Sequence, residues 1–251
     1  MSLMQVNDVW KRFRIPHQKR STILEHVASV LAFEDKSYEE FWALKNIQFS
    51  LAQGESLGII GPNGSGKSTL LKLMARVMKP NKGTIKTTGS IAPILELGIG
   101  FHGDLSVTEN AEVYGIILGL SRAQMKRLID PVIQFASLEK FRDTRLKHLS
   151  SGMQIRLAFS IAMQTTADIF LVDEALAVGD MEFQQKCLTK FGEFKKEKKS
   201  IVLVSHDLNL IKNYCEKGLY LLNGETAVFG TAQDAIRRYL EDMRSGAQKT
   251  T

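Results

Sequence analysis

The segment Gly61-Pro62-Asn63-Gly64-Ser65-Gly66-Lys67-Ser68-Thr69 fits the pattern G-x-x-x-x-G-K-[ST]. Glycines at this spacing let backbone amides turn inward around phosphates, and a following helix adds the favourable end of its dipole. In that arrangement Lys67 reaches the β- and γ-phosphates of a nucleoside triphosphate, and the Ser68 hydroxyl ligates Mg²⁺. A second segment, Ile169-Phe170-Leu171-Val172-Asp173-Glu174, ends an apolar run on two carboxylates. Asp173 is placed to hold the metal through water, and Glu174 to polarise the attacking water as general base. A third apolar run, Ile201 to Val204, leads into Ser205-His206-Asp207. A lone histidine is more often structural. Here its place after such a strand puts His206 where it can reach the γ-phosphate and sense its loss.

These groups need strands to deliver them. Val6 to Phe13 reads as an opening strand and Ala43 to Leu51 as a second with alternating apolar positions. Ser56 to Ile60 reads as a buried strand before the glycine loop, and a helix is expected from Lys67 to about Val77. Gly83 to Ile94 reads as further strand. Ser106 to about Thr165 has a helical pattern, with Leu105-Ser106-Val107-Thr108-Glu109 as its start. Ile169 to Val172 and Ser200 to Val204 have the composition of central parallel strands. Gly218 to Thr226 predicts a closing hairpin, Ala232 to Met243 a last helix, and Ser245 to Thr251 a frayed tail.

Between the first two strands lies a long insertion. Its beginning, Lys11 to Arg20, is basic, and Thr22 and Glu25 have the spacing of a capping box. Ile23, Leu24, Val27, Val30 and Leu31 then follow on one helical face. The residues alone leave two readings: a helix packed on its own domain, or a surface that docks on a membrane or a membrane partner.

The chain has 251 residues, 44% apolar and 24% charged, as expected of a globular α/β domain with room for one subdomain. No apolar run approaches the roughly 18–20 residues of a membrane-spanning helix. The opening Met1 to Lys11 lacks a secretory signal, so the chain is expected to stay where it is made. A net charge of +6 suits lipid headgroups, nucleotide or nucleic acid equally. Cys187 and Cys215 have no CxxC spacing and are expected to be reduced, buried or partly buried thiols. There is no internal repeat.

Leu149-Ser150-Ser151-Gly152-Met153-Gln154 resembles the signature motif of the ATP-binding-cassette family, commonly written LSGGQ, with Ser151 and Met153 as departures. Together with the phosphate loop, the Asp173-Glu174 pair and His206, in that family's order, the resemblance covers nearly the whole chain. It implies an α/β fold: a P-loop NTPase core with a parallel sheet, an antiparallel β subdomain and an inserted α-helical subdomain. The boundaries expected are a core of about 1–95 and 166–230, a helical subdomain of about 96–165 and a C-terminal helix of about 232–244. The resemblance implies a homodimer in which Ser150 and the Gly152 amide of one subunit contact ATP held by the other. These groups lie near the start of a helix predicted over Met153 to Met163, whose dipole favours phosphate. Asp180 takes the position of the family's D-loop, and Phe13 that of the aromatic stacking on adenine, where core packing is the alternative. The family's glutamine at the junction of core and helical subdomain is replaced by Glu96 as the nearest polar counterpart, which carries the expected metal contact.

Within the family, Phe41-Trp42-Ala43-Leu44, Leu95 to Phe101, Ser150 to Met153 and Asp173 to Asp180 look like exporters of bacterial polysaccharides, including O-antigen, capsule and teichoic acid. That branch carries a helix between its first two strands near the membrane, matching Thr22 to Phe33 and favouring the docking reading. The resemblance implies an ATPase using ATP and Mg²⁺, peripheral on the cytoplasmic face of the inner membrane through a transmembrane permease. The permease would carry the polysaccharide, and no nucleic acid is expected. Some members of the branch carry a further carbohydrate-binding domain; this chain is either of the shorter type or part of a longer protein. The alternatives are an exporter of another substrate, a soluble cassette ATPase acting on nucleic acid or ribosomes, and a non-catalytic nucleotide-binding module.

Overall fold

The computed structural model describes residues 2–16, 38–95, 97–173 and 180–247. The expected helix of Thr22 to Phe33, Glu96, Glu174 and the 175–179 stretch before Asp180 lie outside the described residues.

The strands are β1 (Ser2–Pro16), β2 (Tyr38–Ala52), β3 (Ser56–Ile60), β4 (Lys82–Thr87), β5 (Ile91–Ile94), β6 (Ile169–Asp173), β7 (Ser200–Val204), β8 (Lys217–Leu222) and β9 (Glu225–Thr231). The helices are α1 (Lys67–Met74), α2 (Val107–Ile117), α3 (Arg122–Phe135), α4 (Ser151–Ala162), α5 (Met181–Lys196), α6 (Leu208–Tyr214) and α7 (Ala232–Ala247). One sheet has three strands in the order β2-β1-β4, all antiparallel. The other has six, in the order β5-β6-β7-β3-β8-β9, parallel except where β9 returns beside β8.

The central strands are apolar throughout because both faces of the parallel sheet are covered. Successive side chains point to opposite faces, so β6 splits its run between two cores. Phe170 and Val172 join Phe183, Phe191 and Phe194 of α5 and Ile211 of α6. Ile169 and Leu171 join Leu70, Leu71 and Met74 of α1 and the inner faces of β1 and β2. A third core lies among α2, α3 and α4, built from Val107, Tyr114, Met125, Val132, Leu157 and Ile161. Leu97 and Leu118 pack against both this core and the first.

The helix starts follow their caps. Ser106 and Glu109 form a reciprocal capping box on α2, as expected of that segment, and Ser121 with Gln124 does the same for α3. The long helical stretch is interrupted by two short 3-10 turns, Glu139–Phe141 and Leu146–His148. Several expected boundaries change, and the first two strands run longer than Val6 to Phe13 and Ala43 to Leu51. The helix expected to reach Val77 ends at Met74, and Arg76 is left-handed with φ 60°. The last helix continues past Met243 to Ala247. Gly83 to Ile94, read as one stretch, is two strands in different sheets. Asp168 makes that corner: its Oδ2 accepts from both Ser90 N and Ser90 Oγ at 2.7 Å. These bonds hold its carboxyl below the usual range.

Both cysteines are buried, Cys187 on α5 and Cys215 capping the C-terminal end of α6. Burial pushes each thiol up to about 12. No helix among the described residues is long and apolar enough to cross a membrane.

Candidate nucleotide site

The glycine loop is held by three close backbone approaches. Gly66 has φ 101°, and a Cβ there would lie 2.6 Å from Leu44 Cδ2 and 2.7 Å from Ala43 O. A Cβ on Gly61 would lie 2.2 Å from Leu221 O. The turn at Asn223 and Gly224, both left-handed, joins β8 to β9 and presses on the same carbonyl of Ala43. The loop is thus wedged between β2 and the β8 end of the sheet. Beside Gly64, by contrast, nothing lies within 4 Å of a Cβ position. That side of the loop is open.

Lys67, only 6% exposed, donates through Nζ to Gly61 O at 2.8 Å and Pro62 O at 3.0 Å. Its ammonium is therefore held inside the curve of the loop. Ser65 Oγ is buried with no hydrogen-bond partner among the described residues. Gly66 offers no side chain to cap α1, so the first amides of that helix open towards the loop. A buried ammonium, an orphaned hydroxyl and uncapped helical amides together make a cradle of the kind that suits a polyanion. Asn63 and Ser68 are exposed and Thr69 half-buried.

Strand register gathers the other groups. Ile59 of β3 and Asp173 of β6 both pair with Val204 of β7, the strand between them. At a strand spacing of about 4.8 Å, Asp173 therefore lies two strands, or about 10 Å, from Ile59, which precedes the loop by two residues. Ser205 and His206 leave β7 at the same edge. Asp207 donates its amide to Ser205 Oγ at 3.0 Å, and its Oδ1 accepts from Asn209 N at 2.8 Å to cap α6. This turn holds His206, which is exposed, over the sheet edge.

The signature residues lie at the start of α4. The helix begins at Ser151 rather than Met153, with Ser150 as its cap accepting from Met153 N at 3.3 Å. Gln154 Nε2 donates to Leu146 O at 3.1 Å and Leu149 O at 3.2 Å, tying the preceding loop down. Sequence reasoning gave Gln154 no separate role, because its partners are carbonyls that no side-chain pattern reveals. Gly152 has nothing within 4 Å of a Cβ position. Asp180 caps α5 through Oδ1, from Phe183 N at 2.9 Å, and accepts from Arg156 Nη1 through Oδ2 at 3.2 Å.

Phe13 is 37% exposed on β1, directly opposite Phe41 on β2. Lys11 Nζ stands 5.4 Å from its ring. It is more open than a core residue, and it lies three strand residues, about 10 Å, along β2 from where Leu44 meets Gly66.

Mg²⁺ fits the donors present: the exposed Ser68 hydroxyl in the first turn of α1 and the half-buried Asp173 carboxylate are hard oxygen ligands.

Residues 44–177 match the family described as ABC transporter. Over 85% of its length the chain is 41% identical to the teichoic acids export ATP-binding protein TagH of Bacillus anthracis, of which it covers 39%. It is 36% identical to the O-antigen export system ATP-binding protein RfbB of Klebsiella pneumoniae, across 96% of this chain and 98% of that one. The chain spans less than half the length of several curated relatives, including 46% of the Myxococcus xanthus RfbB protein. In fold it superposes on a dimeric ATP-binding cassette bound to ADP and Pi with a TM-score of 0.72, covering 91% of this chain and 98% of that one at 22% identity. The match across the phosphate loop, the signature and the Asp173 strand, with relatives along almost the entire chain, places this protein in the ABC transporter family.

Proposed function

We propose that the chain hydrolyses ATP as the nucleotide-binding subunit of an ABC exporter that moves a lipid-linked, O-antigen-like polysaccharide across the cytoplasmic membrane. The observation that carries the ATPase reading is the shared edge of the parallel sheet, from which the loop, Asp173 and the His206 turn all emerge. The cargo reading is supported by the 36% identity to RfbB over nearly both chains.

In this reading the amides of Gly61, Asn63, Gly64, Ser65 and Gly66, with Thr69 behind them, enclose the phosphates, and Lys67 neutralises their charge. Phe13 stacks on the adenine. Ser68, Asp173 and Glu96 would hold Mg²⁺, which when bound offsets charge on the phosphate oxygens. Glu174 orients and deprotonates the water that attacks the γ-phosphorus in line, and His206 contacts the γ-phosphate. Ser150 and Gly152 complete the site of a second copy, and Asp180 lies beside it. Glycine has the lowest helix propensity of any residue but proline. The empty space beside Gly152 therefore suits a surface kept open for a ligand held by that copy. Closure of the dimer on two ATP molecules supplies positioning rather than covalent chemistry, and product release reopens it. The helical part, about 96–165, moves with each cycle. A transmembrane permease bound to it carries the glycan and keeps the chain peripheral on the cytoplasmic face. The Thr22 to Phe33 segment is assigned to the membrane side of that assembly.

Steady-state ATP turnover tests the chemistry. Glu174→Gln is expected to be slower than wild type by about 10²-fold or more; an equal rate rejects the assignment. Co-purification tests the setting: recovery with a membrane-spanning subunit is expected, and recovery with ribosomes or nucleic acid contradicts it.

A further inference from the structure

Arg156 sits on α4, six residues after Ser150, or about 9 Å further along the helix. Its side chain is 20% exposed and pairs with Asp180 at 3.2 Å. Asp180 uses both carboxylate oxygens within the chain, one to cap α5 and one to accept from Arg156. The guanidinium also stands 6.0 Å from the ring centre of Phe183. Phe183 is the apolar anchor of this end of α5, meeting Phe159 of α4 at 5.9 Å and Phe135 of α3 at 5.7 Å. Burial of these rings sets how close the helices come, and burial itself is non-directional. The charged hydrogen bond adds direction. One arginine therefore ties the start of α5 to the helix that Ser150 opens.

We propose that Arg156 is a positioning residue for ATP hydrolysis, holding Asp180 and the start of α5 in register with the signature helix through the Arg156–Asp180 pair. The proposal rests on the ATPase reading above. A shift at this junction acts on α4, and so on its Ser150 end. Arg156 touches no nucleotide in this scheme. Its loss should lower the rate of the chemical step and leave ATP affinity intact. Asp180 is 62% exposed, and a pair this open adds little to folding stability, so the variants should remain folded.

The test is a double-mutant cycle in ATP turnover with Arg156→Gln and Asp180→Asn, since asparagine still caps α5 while losing the charge. Each single variant is expected to lower kcat by about ten- to a hundredfold with KM for ATP changed less than about twofold, because small misplacements act on rate. The double variant should be no slower than the worse single. Arg156→Lys, which keeps a cation in reach, should restore most of the rate. Multiplying effects in the double variant, a rise in KM matching the fall in kcat/KM, or wild-type kcat in Arg156→Gln would each overturn the pair's role while leaving the ATPase reading standing. A wild-type chain that turns over no ATP would overturn both.

Discussion

Lys67 is where the loop's chemistry is most concentrated. Its ammonium is already held between the carbonyls of Gly61 and Pro62, so a nucleotide meets a positive charge whose position is fixed before binding. Lys67→Ala should lower ATP affinity by more than about tenfold, because a charge-assisted contact inside a protected loop is worth at least about 1.4 kcal/mol. Equilibrium binding of ATP checks this, and unchanged affinity counts against the loop as a phosphate site. Phe13 makes a smaller claim. Its half-open ring opposite Phe41 offers stacking area, and Phe13→Ala should weaken ATP binding about three- to tenfold, the range of an aromatic contact. An affinity equal to wild type would return Phe13 to ordinary packing.

The elements were legible wherever a local rule governs them. β3 and β7 coincide with the expected runs because buried parallel strands are apolar blocks bounded by polar residues. The start of α2 was readable because Ser106 and Glu109 form a box within four residues. What escaped depends on contacts across the sequence. The corner between β4 and β5 needs Asp168, seventy-eight residues from Ser90. The Arg156–Asp180 pair joins two helices that no periodicity relates. The loop's fit against β2 was likewise invisible, although its glycines were not. That fit gives a prediction at this scale. Gly66→Ala must strain a left-handed backbone and push against Ala43 and Leu44, so it should lower stability by about 1–3 kcal/mol in denaturant unfolding. Gly64→Ala has open space and should lose only the backbone cost of about 1 kcal/mol. Equal losses at the two sites would contradict the wedged loop.

At the scale of the whole molecule, two cores flank one sheet, and the two thiols buried in the core beneath α5 and α6 set an upper pH limit. Cys187 and Cys215 are raised from 9.0 to about 12, and Tyr220 rises in the same sense from 10.0 to about 12. A raised value means that the folded state favours the protonated form. The stabilisation is full below pH 9 and is lost as pH climbs from there towards 12. Each thiol can remove up to about 1.4 kcal/mol per pH unit in that window. The denaturant midpoint should therefore fall between pH 8 and 10.5, and a flat midpoint would contradict the buried, neutral thiols. The central claim is that one chain holds half of each ATP site: the cradle around Lys67 and the Ser150 start of α4. Sedimentation of Glu174→Gln with and without MgATP tests this most directly, since blocked hydrolysis should trap the closed pair. The account predicts a monomer without nucleotide and a dimer with it. A chain that binds MgATP yet stays monomeric at every protein concentration tested would contradict it.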